Sequence, residues 1–138
     1  VMGSGVAKAL RDYDDGIYTD YRHMCEIGEF DPKILLGACA QYTIKNGAQT
    51  VLSLFAQNNY GYDGKQYTNL KAFREGLWFI SQHVPKWHEE CGVCIRRTSI
   101  ALPYKIGCGR GGADWEIIYK IIEDELKDYD VELWRLDE

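Results

Sequence analysis

The sequence predicts an α/β fold with helices layered on β-sheet, and three observations carry that expectation. Residues 34–43 (ILLGACAQYT) and 50–56 (TVLSLFA) are apolar and β-prone, with Asn46-Gly47 between them as a tight-turn signal, so they read as a hairpin. Residues 93–102, 115–126 and 131–136 read as strand, helix and strand, a β-α-β unit whose two strands lie parallel. The chain shows no internal repeat or low-complexity tract. Its 138 residues, 46% of them hydrophobic, suit one domain around one core.

The elements follow in order. A glycine pair runs into a helical segment over residues 2–10, and residues 17–26 (IYTDYRHMCE) continue as helix despite their tyrosines. Gly28 and Pro32 bracket a turn before the hairpin. Residues 57–66 (QNNYGYDGKQ) form a polar loop. Thr68 or Asn69 then caps a helix whose apolar positions Leu70, Phe73, Leu77, Trp78 and Ile80 recur at helical spacing, with Gly76 as an interruption. Pro85 ends or kinks that helix, and residues 86–91 add one more turn. The strand over 93–102 stops at Pro103. Asp114 caps the last helix, which carries Trp115, Ile118, Ile121, Ile122 and Leu126 along one face, and residues 131–136 (VELWRL) alternate as a final strand.

Composition narrows the partners. There are 21 acidic against 16 basic residues, a net charge of -5, and no block of Lys or Arg, which argues against sequence-specific nucleic-acid binding. An anionic ligand must therefore be held locally, by backbone amides and helix ends. No run approaches the roughly 20 apolar residues of a membrane helix. No signal-like leader is visible either, so a cytoplasmic protein without membrane partners is expected. Cys25, Cys39, Cys91, Cys94 and Cys108 are an odd, unpatterned set and read as reduced thiols.

Two glycine-rich loops carry the chemistry. Gly3, Ser4, Gly5 and Val6 open the first helix, and Ile106, Gly107, Cys108, Gly109, Arg110, Gly111 and Gly112 follow an apolar strand and open the last one. Glycine lets a phosphate approach the backbone amides without a Cβ in the way, and a helix start adds positive potential. A loop with four glycines in six residues, costly in backbone entropy, is seldom needed only to connect. Two such loops can grip a diphosphate from opposite sides.

The stretches MGSGVAKAL and ALPYKIGCGRGGADW resemble the two ligand loops of macro domains, the family that binds ADP-ribose and processes ADP-ribose 1''-phosphate. The resemblance extends over nearly the whole chain and is nearest to the branch related to terminal ADP-ribose protein glycohydrolase. It implies a three-layer α/β/α fold with a mixed six-stranded sheet, of which this sequence supplies four strands, the family's first two being absent. The second of those lies mid-sheet in the family, so without it two strand pairs would be left with unpaired edges. The chain opens on its glycine loop at Val1, with no strand to feed it, and an upstream segment is expected.

The resemblance implies that Gly3, Ser4, Gly5 and Val6 line the phosphate and distal-ribose side, that Pro103 and Ile106 through Gly112 wrap the diphosphate, and that Trp134 lies near the adenine. Gln57 and Asn58 count among the expected ligand-binding residues, with Asn58 and Asn59 able to hydrogen-bond ribose hydroxyls where the neighbouring tyrosines flank the distal ribose. The glycohydrolase branch uses a lysine and an aspartate at the places that hold Gln57 and Gly111 here. Glutamine has no basic amine with which to attack an anomeric carbon, so that mechanism does not carry over. Asp114, the nearest carboxylate, reads as a helix cap before a general base. Hydrolysis of an ADP-ribosyl ester or of ADP-ribose 1''-phosphate then rests on a water positioned by the bound ligand. The alternative is a non-catalytic reader of ADP-ribose or of an ADP-ribosylated macromolecule, with no cofactor.

Other groupings compete. His83, His88, Cys91 and Cys94 (HVPKWHEECGVC) have zinc-ligand chemistry, with His88 and Cys91 on one face if the segment is helical; this defines a second alternative, a zinc-stabilised interaction domain. Without a second separated knuckle, solvated histidines at a helix end are the simpler account, and no metal is expected. Tyr60, Tyr62 and Tyr67 either flank a ribose or cover the core edge. The acidic run at residues 123–130 is a solvated helix end.

Overall fold

The computed structural model describes residues 5–44, 49–57, 61, 63–90, 92 and 94–135. The Asn46-Gly47 turn, Tyr60, Tyr62 and Cys91 lie outside the described residues.

Helix α1 (Gly5–Tyr13) meets α2 (Asp15–Ile27) at Asp14, which caps α2 by accepting from the Gly16 N–H at 2.9 Å. The Tyr42 hydroxyl donates to both Asp14 carboxylate oxygens at 3.3 Å, tying the helix junction to the sheet. Gly16 has to be glycine, because a Cβ there would overlap the Tyr42 ring and its hydroxyl.

The predicted strand over residues 34–43 is shorter than expected. A short helix α3 (Pro32–Leu35) takes its first residues, because the Asp31 side chain accepts from Lys33 and its carbonyl accepts from Ile34 and Leu35. Leu35 is buried against Gly28, where no Cβ would fit. The strand proper is β1 (Cys39–Thr43), antiparallel to β2 (Thr50–Leu54), with Cys39 opposite Leu54 and Thr43 opposite Thr50.

Helix α4 (Leu70–His83) is capped by Asn69, which accepts from the Ala72 N–H at 2.9 Å. Gly76, an apparent flaw in the sequence, is a packing residue: a Cβ there would stand 2.8 Å from Leu54 Cδ2. The helix thus sits close on β2.

Residues 86–91 do not form a helical turn. Trp87–Glu90 is strand β3, paired antiparallel with β4 (Cys94–Arg97), and the expected single strand over 93–102 is split. The break is at Thr98, whose N–H donates back to Lys86 while its carbonyl accepts from Asp130. One residue thereby passes the chain from the hairpin into the next ladder. There β5 (Ser99–Pro103) runs parallel to β6 (Asp130–Trp134), with α5 (Trp115–Glu125) as the crossover, so the β-α-β unit is as the sequence predicts. Asp114 caps α5 by accepting from the Glu116 N–H.

The main core joins Phe73, Leu77 and Ile80 of α4 to Ile118, Ile121 and Ile122 of α5, with Leu126, Tyr129 and Leu102. Leu52, Leu54 and Ala56 reach it from β2, and Val131 and Leu133 from β6. On the opposite face of β1–β2, Tyr42 and Val51 pack with Ile17, Ile44, Ala7 and Leu10, and Tyr21 stacks on Phe55 at 5.4 Å. The β1–β2 pair therefore carries helices on both faces. On β6 the alternating residues Glu132 and Trp134 face outward and are exposed.

The architecture is mixed α/β with small sheets: β1–β2, β3–β4 and β5–β6 are three two-stranded sheets among the described residues. The β1–β2 hairpin and the parallel β5–β6 pair stay separate, and the described residues do not form a continuous mixed sheet. Among the described residues no helix is long and apolar enough to cross a membrane.

Candidate functional site

The second glycine loop begins where β5 ends. Its turns need left-handed backbone at Lys105, Gly107 and Gly112, with φ of +57°, +77° and +69°. Internal bonds set its shape: Cys108 N–H to the Lys105 carbonyl at 3.0 Å, Gly112 N–H to Gly109 at 3.1 Å and Ala113 N–H to Gly107 at 3.1 Å.

The loop is pinned along the segment before α4. The Thr68 hydroxyl donates to the Gly107 carbonyl at 2.8 Å, and the Tyr67 and Thr68 amides both donate to Gly111 at 2.7 and 2.9 Å. Gly61 N–H reaches the Arg110 carbonyl at 3.0 Å. The carbonyls of Gly107, Arg110 and Gly111 are thus spent on the protein. The amides of Gly109 and Gly111 meet no acceptor among the described residues.

Space explains the other glycines. A Cβ on Gly111 would overlap the Thr68 hydroxyl, stand 2.5 Å from the Gly107 carbonyl oxygen and lie 2.8 Å from Gln57 Oε1. One on Gly112 would overlap the Lys65 carbonyl, whereas Gly109 has nothing within 4 Å and is exposed. Gln57 and Gly111 are therefore neighbours. Gln57 is bridged to Thr68, and both flank the loop.

The remaining predicted residues divide. Gly3, Ser4 and Asn58 lie outside the described residues. Gly5, at φ +60°, starts α1, and Val6 is exposed; a Cβ on Gly5 would have nothing within 4 Å, and the neighbours of the second loop come from residues 57 and 65–68 instead. Ile106 and Cys108 pack on the main core. Burial and the Asp114 carboxylate push the Cys108 thiol up, against a smaller opposing effect of Lys105, so it is no activated nucleophile. Asp114 is committed to its helix cap. Trp134 lies opposite Pro103, is 65% exposed, and gives its indole N–H to Glu132 at 3.1 Å.

His88 stands on a strand, so the one-face helical spacing with Cys91 does not hold, and His83 instead stacks on Phe79 at 4.0 Å. A groove of about 460 Å³ between α4 and α5 is lined by Leu70, Lys71, Arg74, Ile117, Lys120 and Ile121 and by no residue of either glycine loop. Its cations are paired, Arg74 with Glu125 and Asp124, Lys71 with Glu75 and Lys120 with Asp124, so it offers little net field to an anion.

Sequence reasoning missed Thr68 as the anchor of the loop, treating it only as a possible cap. It is 4% exposed, and no local signal marks it, because the glycine it holds lies 39 residues further along the chain. It also passed over Tyr104, whose ring meets Trp115 edge-on at 5.2 Å.

No family model matches the sequence, and no curated protein matches it. Among solved structures, a protein of unknown function from Bacteroides thetaiotaomicron aligns over 99% of this chain and 80% of its own length, with a TM-score of 0.66 and 22% identity. That likeness concerns the fold.

Proposed function

We propose that this chain binds the diphosphate of ADP-ribose, free or attached to a macromolecule, with the loop from Ile106 to Gly112. The observation that carries this reading is the polarity of that loop. Its carbonyls at Gly107, Arg110 and Gly111 are taken by residues 61–68, while the Gly109 and Gly111 amides are uncommitted among the described residues. The uncommitted N–H of exposed Gly109, close in sequence to the start of α5, is the kind of donor a phosphate needs. The overall charge of -5 makes such local donors necessary.

The geometry favours a reader over a hydrolase of the lysine–aspartate type. Gln57 supplies no nucleophilic amine, and the volume a side chain at residue 111 would need is already filled by Thr68, Gly107 and Gln57. The macro-domain fold belongs to this same reading, supported by the loop motifs and by the order of hairpin, helix and β-α-β unit.

Titration calorimetry with ADP-ribose tests the proposal, with Gly109→Trp as the control that fills the open side of the loop. Saturable heat from the wild type and none from the variant is the expected result. No heat from folded wild-type protein at high ligand concentration sinks the reading. Incubation with ADP-ribosylated glutamate and with ADP-ribose 1''-phosphate separates the roles: a reader releases nothing from either.

A further inference from the structure

Strand β6 bonds to β5 through alternate residues, and two bonds show which. The Asp130 N–H donates to the Thr98 carbonyl and the Tyr104 N–H to the Trp134 carbonyl, so the even-numbered residues of β6 aim their backbone at β5. An extended residue turns its N–H and C=O to one side and its neighbours turn theirs to the other, so Val131 and Leu133 present theirs at the opposite edge. Among the described residues no strand lies along that edge, and those groups meet no partner. The strand (DVELW, in regular register) carries none of the Lys, Pro or bulge by which native edges are shielded.

An apolar groove of about 340 Å³ lies against the same strand, lined by Tyr119, Ile122, Leu126, Tyr129, Val131 and Leu133. No residue of β5 lines it, which places it on the side of β6 away from β5. Its two charged residues, Glu123 and Lys127, are of opposite sign. On the other face of the strand Trp134 is 65% exposed. The whole chain exposes 9468 Å², against about 7,400 Å² for a monomer of 15.9 kDa. The surplus of about 2,000 Å² exceeds the roughly 800 Å² that each partner gives to a standard interface.

The edge is self-complementary. A two-fold copy lays β6 antiparallel on β6, and only the odd-numbered residues, whose backbones face outward, can bond to one another. Three such registers overlap three or more residues of each β6. Centring on Val131 sets Glu132 opposite the partner's Asp130, and centring on Glu132 sets two glutamates opposite each other; like charges so placed are destabilising. Centring on Leu133 pairs it with the partner's Leu133, Glu132 with the partner's Trp134 and Val131 with the partner's Arg135, with no like charges opposed. We propose that β6 is a dimerisation edge: two copies of this chain join β6 to β6 about Leu133, extending the parallel pairs into one four-stranded sheet. The partner's Val131 and Leu133 then fill the groove beside α5. On the exposed face the two Trp134 side chains stand diagonally across the seam, about 7–8 Å apart at their α-carbons, and cover each other. The contact uses no residue of the glycine loop and is independent of the ADP-ribose reading.

Sedimentation equilibrium of the full chain tests this, with amide hydrogen exchange read at Val131 and Leu133. A dimer is expected to form as concentration rises, and both amides should slow as it does. Val131→Pro removes an outer-edge N–H that the monomer leaves unbonded, and Trp134→Glu sets a carboxylate against the partner's Glu132; each should raise the dimer dissociation constant about tenfold or more. Trp134→Lys sets a cation at the same place and should dimerise more tightly than Trp134→Glu. Residue 134 is exposed, so these two changes leave the fold intact and decide the matter even if circular dichroism shows the proline variant unfolded. Wild type that stays monomeric at every concentration overturns the inference, and slow Val131 and Leu133 amides in that monomer would show that another strand of its own chain covers the edge. A dimer indifferent to Val131→Pro and Trp134→Glu joins through another surface and overturns it as well. Equal weakening by glutamate and by lysine at residue 134 overturns the Leu133-centred register.

Discussion

A Cβ on Gly111 would overlap the hydroxyl oxygen of Thr68, the same oxygen that donates to the Gly107 carbonyl at 2.8 Å. One threonine thus fills the space beneath the loop and fastens it. Overpacking a filled site costs typically about 1–3 kcal/mol, and Thr68 is too buried to swing clear. Gly111→Ala should therefore lower stability in urea by that amount. Gly109→Ala, with open space around it, should stay within about 0.5 kcal/mol of wild type. Equal losses at the two positions would mean that the loop is not packed on Thr68.

The hydroxyl itself can be separated from its bulk. Thr68→Val keeps the shape and removes the donor, leaving the Gly107 carbonyl with the Ala113 N–H alone at a cost of about 0.5–1.5 kcal/mol. Thr68→Ser keeps the donor and should lose less. Hydrogen exchange at Gly112 and Ala113, whose amides close the loop on Gly109 and Gly107, should speed up in the valine variant and not in the serine one. Unchanged exchange in both would remove Thr68 from its anchoring role.

Much of this was legible in the sequence where the signal is local. Asp114 before an apolar stripe located α5, and the strands on either side of it implied a parallel pair. What was misread depended on distant residues. Gly76 looks like a helix flaw until Leu54, 22 residues away, is brought against it. Ile34 and Leu35 are apolar enough for strand, and only the Asp31 cap and the Gly28 contact make them helix. The β3–β4 hairpin is charged on both faces and gives no period-2 signal, while the break at Thr98 requires Lys86 and Asp130 on opposite sides of one residue. At the site, the glycines were visible but Thr68, 39 residues from Gly107, was not.

Under the proposed ADP-ribose reading, placing a lysine at residue 57 and an aspartate at residue 111 should not create a glycohydrolase. Gln57→Lys adds an amine at an exposed position beside the loop, yet Gly111→Asp must force a carboxylate into volume held by Thr68 and the Gly107 carbonyl. The single Gln57→Lys variant is expected to fold and to release no ADP-ribose from an ADP-ribosylated glutamate substrate. The double variant is expected to melt lower, as Gly111→Ala does. Efficient release by the double variant at wild-type stability would show that the loop has a second arrangement.

Alkaline pH should weaken the fold through the thiol at the start of β1. Burial alone pushes Cys39 up from its ordinary value to about 11, and burial with the neighbouring Cys25 pushes Tyr21 up to about 12. Both groups are neutral acids whose folded values lie above their unfolded ones. Below the unfolded value of about 8.5 for a thiol, neither state ionises and Cys39 contributes its full stability. Above it the unfolded chain releases a proton that the folded chain keeps, so stability falls as pH rises toward about 11. Urea midpoints should therefore drop between pH 8 and pH 10.5, and Cys39→Ala should show a shallower decline over that interval, on the order of a few tenths to 2 kcal/mol less. The same burial predicts slow alkylation of Cys39 by iodoacetamide at pH 8 in the native protein and fast alkylation in urea. A Cys39→Ala profile parallel to that of wild type would place the alkaline loss on Tyr21 or elsewhere.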